Sequence, residues 1–257
     1  MSTVPQRVAV IVPTLNEVAM IGAVLQGILQ TGLVSWVIVV DDSSTDNTVD
    51  VVQSIQKIDP RIRLIVRRNL GKSFARSYVA GFRCALDLGA TALIQMDGDG
   101  SHNPADIPRI VDALGTFDVV VCSRYAAGGK NCMRSLRRLA LSYLGSRFSR
   151  ALLGMPIRDM TSGFNGWSAG ILERCAFEDS KLEGFGFQIW LKWRAYESRA
   201  SMTELPIVFQ DRESGISKFR LSMATEVFFG ILRMRSEASG LRSSNLRSTF
   251  PNPQFRR

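Results

Sequence analysis

The sequence is poor in cysteine, and its four, Cys84, Cys122, Cys132 and Cys175, show no C-x-x-C spacing. That excludes a zinc cluster or a disulfide scaffold and suits a reducing compartment. Long apolar runs are missing as well. Nothing approaches the roughly 18 uninterrupted apolar residues of a membrane span, and the opening MSTVPQRVAVIVPTLNE offers only about six apolar residues before a proline, too few for a signal-peptide core. Neither a leader nor a spanning helix is expected. No G-x-G-x-x-G is present to cradle a dinucleotide, and LGKS at 70–73 fails as a P-loop because its first glycine would fall on Val66. No zinc-finger or RNP-like pattern favours nucleic acid, which is not expected as a partner.

What is present supports one large folded unit. The chain has 257 residues and is 46% hydrophobic, enough to bury a sizeable core. Residues 1–130 carry 12 basic and 12 acidic side chains, and residues 131–257 carry 20 and 11, so the whole net charge of +9 lies in the second half. Such a surface suits nucleic acid, an anionic lipid or a phosphorylated substrate, the first without a motif to support it.

Short β-rich runs at 7–13, 36–42, 62–66, 91–97 and 118–124 alternate with helical patterns near 17–31, 45–57, 72–88 and 104–114. That alternation predicts an α/β fold, a mostly parallel sheet with helices on both faces. Ligands of such sheets bind beyond the carboxyl ends of the strands. Three of the predicted strands end there in PTLNE, DDSSTDNT and DGDGSH. Beyond residue 130 the pattern predicts helices at 134–153, 187–197 and about 221–234, a turn-rich RDMTSGF at 158–164 and a strand at 203–209. A polar, basic tail follows from Ser236 and is expected to be poorly ordered. The folded unit is therefore set at 1–235 and the tail at 236–257.

The stretch LIQMDGDGSHNP runs an apolar strand into Asp97 and Asp99, two acids one residue apart. Carboxylates so placed repel each other unless a cation lies between them, and an Asp-x-Asp turn is a natural site for a hard metal ion. An EF-hand does not fit, because its glycine and glutamate positions fall on His102 and Pro108.

PTLNE (13–17), VVDDSSTDNT (40–49) and MDGDGSH (96–102), with RNLGKSFARSYVAG (68–81) and CSRY (122–125), together resemble family 2 glycosyltransferases of the GT-A (Rossmann-like) fold. RDMTSGF, GFGFQI (184–189) and DRESGISKF (211–219) extend the resemblance to the polyprenyl- and dolichyl-phosphate sugar transferases, mannose synthases above all. The resemblance implies a nucleotide-sugar donor, GDP-mannose for the mannose synthases, lying over the strand ends. It also implies Mg²⁺ or Mn²⁺ on Asp97 and Asp99, with Ser101 as an extra ligand. Pro13, Leu15, Asn16, Glu17 and Asp42 would line the base and ribose pocket beside Gly98, although Thr14 and Glu17 are also placed to cap the helix that follows.

An acceptor that attacks as an alcohol usually needs a general base, and the only histidine is His102. A polyprenyl phosphate is already anionic and needs positioning and charge compensation instead. By the resemblance, Arg124, Arg138 and Ser142 would contact the acceptor phosphate, and Arg212 and Lys218 the donor. The helix at 134–153 has Leu136, Leu139, Ala140, Tyr143, Leu144, Phe148, Ala151 and Leu152 at helical spacing, flanked by Arg134, Arg137, Arg147 and Arg150. A basic amphipathic helix suits an anionic membrane surface and equally suits ordinary packing.

Many members of the family carry transmembrane helices after the catalytic domain. The sequence is expected instead to be cytoplasmic and peripheral at the cytoplasmic face, docking on the membrane surface or on a membrane-anchoring partner subunit. Trp190 stands where many members have an acid. The expected reaction is inverting, metal-dependent transfer of mannose to a polyprenyl phosphate. Its rivals are a UDP-sugar transferase acting on a phosphorylated acceptor and a non-catalytic nucleotide-binding subunit.

Overall fold

The computed structural model describes residues 6–68, 71–133, 135–180, 182–211 and 227–236. Its first half alternates β1 (Val8–Thr14), α1 (Ile21–Gln30), β2 (Val34–Asp41), α2 (Thr48–Ile58), β3 (Ile62–Val66), α3 (Phe74–Asp87), β4 (Ala92–Gln95), α4 (Ile107–Leu114) and β5 (Val119–Ser123). The predicted helix at 104–114 opens as a 3-10 turn, Pro104–Asp106, capped by the Asn103 side chain accepting from the Ala105 N–H at 3.0 Å. The second half adds β6 (Lys130–Cys132), α5 (Leu136–Leu153), β7 (Asn165–Ser168), α6 (Ala169–Cys175), α7 (Gly184–Glu197), β8 (Met202–Pro206) and β9 (Val208–Gln210). The predicted strand at 203–209 is thus two strands in different sheets. Residues 227–236 are helical, in line with the predicted last helix, whose start at 221–226 lies outside the described residues. So does the expected tail apart from Ser236.

The main sheet has the order β3-β2-β1-β4-β7-β5-β8. Every neighbouring pair is parallel except the two made by β7, which runs antiparallel to both β4 and β5. Side chains of a strand alternate between faces, and here both faces are apolar. Ala9, Ile11, Ile38, Val40, Val119 and Val121 enter one core with Tyr78, Phe82, Trp167 and Phe187. Val8, Val10, Val12, Val37, Val39 and Val120 enter the other with Ile21, Leu25, Ile28 and Ile110. Continuous runs such as VAVIV and VIVV read as double-faced burial for this reason.

Where helix and sheet approach closest, glycine is required. A Cβ at Gly81 in α3 would overlap the Ile11 side chain and lie 3.3 Å from Val40. Gly81→Ala should therefore lower stability by about 1–3 kcal/mol through overpacking, although alanine favours a helix by about 1 kcal/mol over glycine. A urea midpoint at or above that of the parent would show that α3 does not lie this close to β1.

Candidate active site

The carboxyl ends of β1, β2 and β4 open onto one edge. The chain leaves β1 and β2 through left-handed residues, Asn16 (φ 58°) and Ser43 (φ 64°), and side chains lace the two turns together. Buried Asp41 accepts from the Thr14 hydroxyl at 2.9 Å, the Ser44 N–H at 2.8 Å and the Ser44 hydroxyl at 2.5 Å. Ser44 Oγ in turn accepts the Asn16 N–H at 2.8 Å, while Asn16 Oδ1 accepts the Thr45 N–H at 2.8 Å. The Glu17 N–H donates to Thr48 Oγ1 at 2.9 Å. Thr14 is thus bound to Asp41, and the N-cap of α1 is Met20 without a side-chain cap bond, so capping by Thr14 does not occur. Pro13 sits in β1 opposite Val40, with Leu15 and Glu17 half-buried and Asn16 exposed beyond it.

Asp42 turns inward. Its carboxylate accepts from Arg67 Nη1 and from the Ser73 N–H, each at 2.5 Å, and Arg67 is itself buried. Burial raises the Asp42 pKa, and the Ser73 N–H and Arg67 offset only part of that. Ser73 caps α3, accepting from the Arg76 N–H at 3.1 Å, while its hydroxyl donates to Glu183 at 2.7 Å. The β2 edge is thereby tied to the start of α7.

Past β4, Asp97 Oδ1 accepts from the Tyr78 hydroxyl at 3.0 Å. Burial, followed by the negative charge of Asp97, holds the Tyr78 pKa well above 10.0, so the phenol stays a donor. Asp99 Oδ1 accepts both the Ser101 N–H at 3.0 Å and the Ser101 hydroxyl at 2.6 Å. His102 is buried and stacked on Phe164 with ring centroids 4.9 Å apart, and its Nδ1 accepts the Asp97 N–H at 3.2 Å. Gly98 lies where the ends of β1 and β4 converge: a Cβ there would be 3.1 Å from Thr14 Cγ2 and 3.3 Å from the Pro13 carbonyl. Two carboxylates whose described hydrogen bonds come from neutral donors to Oδ1 form a hard-oxygen set that fits a divalent cation. Ser101 acts here as a donor that orients Asp99.

Beyond β5, Arg124 is only 6% exposed and forms a forked pair with Asp159, Nε to Oδ2 at 2.8 Å and Nη2 to Oδ1 at 2.7 Å. Nη2 also donates to Thr161 Oγ1 at 2.8 Å, whereas Nη1 makes none of the described hydrogen bonds. Thr161 Oγ1 lies 3.1 Å from Ser142 Oγ and 3.2 Å from Ser146 Oγ of α5, and the Tyr125 hydroxyl donates to Ser142 at 2.8 Å. Burial disfavours the charge of Asp159, but Arg124 outweighs it and the carboxyl stays below its ordinary value of 3.8. Arg138 lies on α5 within a turn of Ser142; Arg212 and Lys218 lie outside the described residues.

Several members of this arrangement were not singled out by sequence reasoning: Asp41, Arg67, Tyr78, Asp159, Thr161 and Glu183. Asp159 and Thr161 sit inside RDMTSGF, whose polar residues in a turn were the available signal. Tyr78 gave none, since a tyrosine on an amphipathic helix reads as core.

The glycosyl transferase family 2 model matches residues 9–175. Over 239 residues the chain is 33% identical to an undecaprenyl-phosphate mannosyltransferase of Micrococcus luteus, covering 92% of this chain and 98% of that protein. Over 227 residues it is 34% identical to a polyprenol monophosphomannose synthase of Mycolicibacterium smegmatis, covering 88% and 86%. Among solved structures, glucosyl-3-phosphoglycerate synthase from Mycobacterium tuberculosis in complex with Mn²⁺, uridine diphosphate and phosphoglyceric acid superposes with a TM-score of 0.63 at 21% identity, covering 90% of this chain and 78% of that one. That likeness establishes the shared fold.

Replacing one partner of the Arg124–Asp159 pair strands a buried charge, so Asp159→Asn should cost about 3–5 kcal/mol near neutral pH. A carboxyl held low in the folded state contributes stability above its unfolded pKa and loses it as pH falls through the folded one. The gap between parent and variant, read from urea midpoints, should therefore narrow as pH drops below 3.8. A gap independent of pH would mean that the carboxylate charge is not what stabilises this site.

Proposed function

Because the chain belongs to glycosyl transferase family 2 and is a glycosyltransferase, we propose that it moves mannose, with inversion, from GDP-mannose to a polyprenyl phosphate at a membrane surface. The observation that carries this reading is identity of 33–34% over about nine-tenths of the chain to proteins whose names join a polyprenyl phosphate to mannose. The catalytic unit is taken as residues 1–235.

In this reading the nucleotide lies over the ends of β1 and β2, against Pro13, Leu15, Asn16 and Glu17. Asp42 lines that pocket where β2 ends, its carboxylate held by Arg67 and the Ser73 N–H. Asp97 and Asp99 hold Mg²⁺ or Mn²⁺, oriented by Tyr78 and Ser101. When bound, the cation offsets negative charge on the departing diphosphate. Arg212 and Lys218 add positive charge on the donor side. The acceptor phosphate is received by Ser142, Arg138 and Arg124 Nη1, and it needs no base because it arrives ionised.

The acceptor is a lipid, and α5 is suited to meet one. One side of α5 carries Ser142 and Ser146 against Thr161; elsewhere Leu136 (78%), Leu144 (61%) and Phe148 are exposed. Phe148 stacks on Phe228 of the helical stretch 227–236 at 5.2 Å, beside exposed Phe229 and Leu232. Arg137, Arg147 and Arg150 accompany this apolar surface on α5. Such a pairing of apolar and basic groups binds anionic bilayers. No helix among the described residues is long and apolar enough to cross a membrane.

Transfer of radiolabelled mannose from GDP-mannose to a short polyprenyl phosphate with Mn²⁺ tests the reaction. Label should appear in lipid with GDP-mannose and not with UDP-glucose, and Asp99→Ala should lower it on the order of 100-fold. Labelling from UDP-glucose alone would replace the donor, and nucleotide binding without turnover would overturn the catalytic reading.

Retention on vesicles containing anionic lipid tests the surface. Burial of one large apolar side chain contributes about 1.5–3 kcal/mol, so Leu144→Ser with Phe229→Ser should weaken binding by at least about tenfold. Equal retention of parent and variant would show that another part of the molecule meets the membrane.

A further inference from the structure

Lys192, in the middle of α7, has no task in the reaction as described, yet it is the least expected side chain in the core. It is wholly buried, and its amine donates to two backbone carbonyls, Ser162 O at 2.8 Å and Met160 O at 3.2 Å. Around it lies a polar floor in an otherwise apolar layer. Asn165 Nδ2 donates to the same Ser162 carbonyl at 3.0 Å, to Gln95 at 3.1 Å and to Gln188 at 3.3 Å. Gln95 Nε2, Asn165 Oδ1 and Gln188 Nε2 have no hydrogen-bond partner among the described residues. Burying an amine and incompletely bonded amides is costly where an apolar side chain of similar size would pack. Stability alone does not account for a lysine here.

The loop it grips faces the reaction on its other side. Thr161 reaches the hydroxyls of Ser142 and Ser146 and the guanidinium of Arg124. Ser162 Oγ donates to the Cys122 carbonyl at 2.7 Å. Gly163 lies directly behind the metal-site carboxylate, since a Cβ there would be 3.2 Å from Asp97 Oδ2. Residues 160–163 therefore touch the acceptor cluster at one end and Asp97 at the other, and Lys192 holds the carbonyls between.

We propose that Lys192 is a positioning residue for sugar transfer: by gripping the Met160 and Ser162 carbonyls it sets the separation between Asp97 and the Arg124–Thr161–Ser142 cluster. This rests on the transfer reading above and assigns to α7 the job of keeping donor and acceptor sides in register. Burial pulls the Lys192 pKa down to about 7, with Asp159 opposing and Arg124 adding to the fall. A neutral amine still has two N–H groups for its two acceptors, so the grip does not depend on the charge.

Lys192→Met, near in size and without donors, is the test, made on the full chain with Mn²⁺, GDP-mannose and a short polyprenyl phosphate. The expected result is a kcat lowered about tenfold or more, GDP affinity by calorimetry within about twofold of the parent, and amide exchange across 158–164 accelerated at least about tenfold while β1 and β2 are unchanged. Parental kcat, with or without faster exchange, would overturn the proposal, as would equal losses of kcat and GDP affinity. If Lys192→Met does not fold, Lys192→Gln, which keeps a shorter N–H₂ group, supplies the same comparison. Absence of lipid labelling by the parent would count against the transfer reading alone, and the exchange comparison then decides whether Lys192 holds the loop.

Discussion

A parallel sheet buried on both faces has one place for polar chemistry, the edge where its strands end. β1, β2, β4 and β5 all point the same way, and their side chains up to that edge are committed to one of two apolar layers. Acids, hydroxyls and turn residues are excluded from the strand interiors and gather where the backbone is released. Asp41, Asp42, Asp97 and Asp99 all stand there. Their crowding is tolerable because each is held by short donors: Thr14 and Ser44, Arg67 and Ser73, Tyr78, and Ser101 respectively.

The single reversed strand completes this edge. β7 is antiparallel, so its first residue, Asn165, lies at the carboxyl end of β4 and β5, and the loop before it arrives at the same edge. A parallel strand in that position would have delivered the loop to the far side of the sheet. Reversal is what brings Asp159 to Arg124 and Gly163 to Asp97. The cost of threading a short strand into the middle is seen at Gly166, where any Cβ would collide with Ile110 of α4.

The sequence was most legible where one physical rule dominated. VAVIV and VIVV announced double-faced strands, and the helices between them followed from their helical pattern. β7 was not legible: NGWS is short, its glycine answers to α4, and its tryptophan is held by Gln95, a contact spanning 72 positions in the chain. The acid pair of DGDG was legible as a polar turn at a strand end, where Asp97 and Asp99 are indeed found, each held by a hydroxyl donor. Arg124 was singled out for its charge, but not as a guanidinium already shared with Asp159. Nothing nearby in sequence signals that pairing, which joins residues 35 positions apart. Lys192 was illegible for the same reason, since a lysine in a helix ordinarily reads as solvated.

The electrostatics of the edge bear on the proposed transfer to an acceptor that needs no base. The sole histidine is spent structurally: His102 is buried, stacked on Phe164, and its Nδ1 accepts the Asp97 N–H. To take up a substrate proton there, it would have to give up the bond that fixes the turn carrying both acids. Arg124 and Asp159 largely cancel, so the described part of this cluster presents hydroxyls, one guanidinium nitrogen and the basic face of α5, while Glu204 beside it accepts the Asp159 N–H at 3.0 Å. An edge with fixed acids on one side and donors on the other suits a nucleophile that arrives as an anion. It is poorly suited to activating an alcohol. The proposed phosphate acceptor is in keeping with which side chains are already engaged.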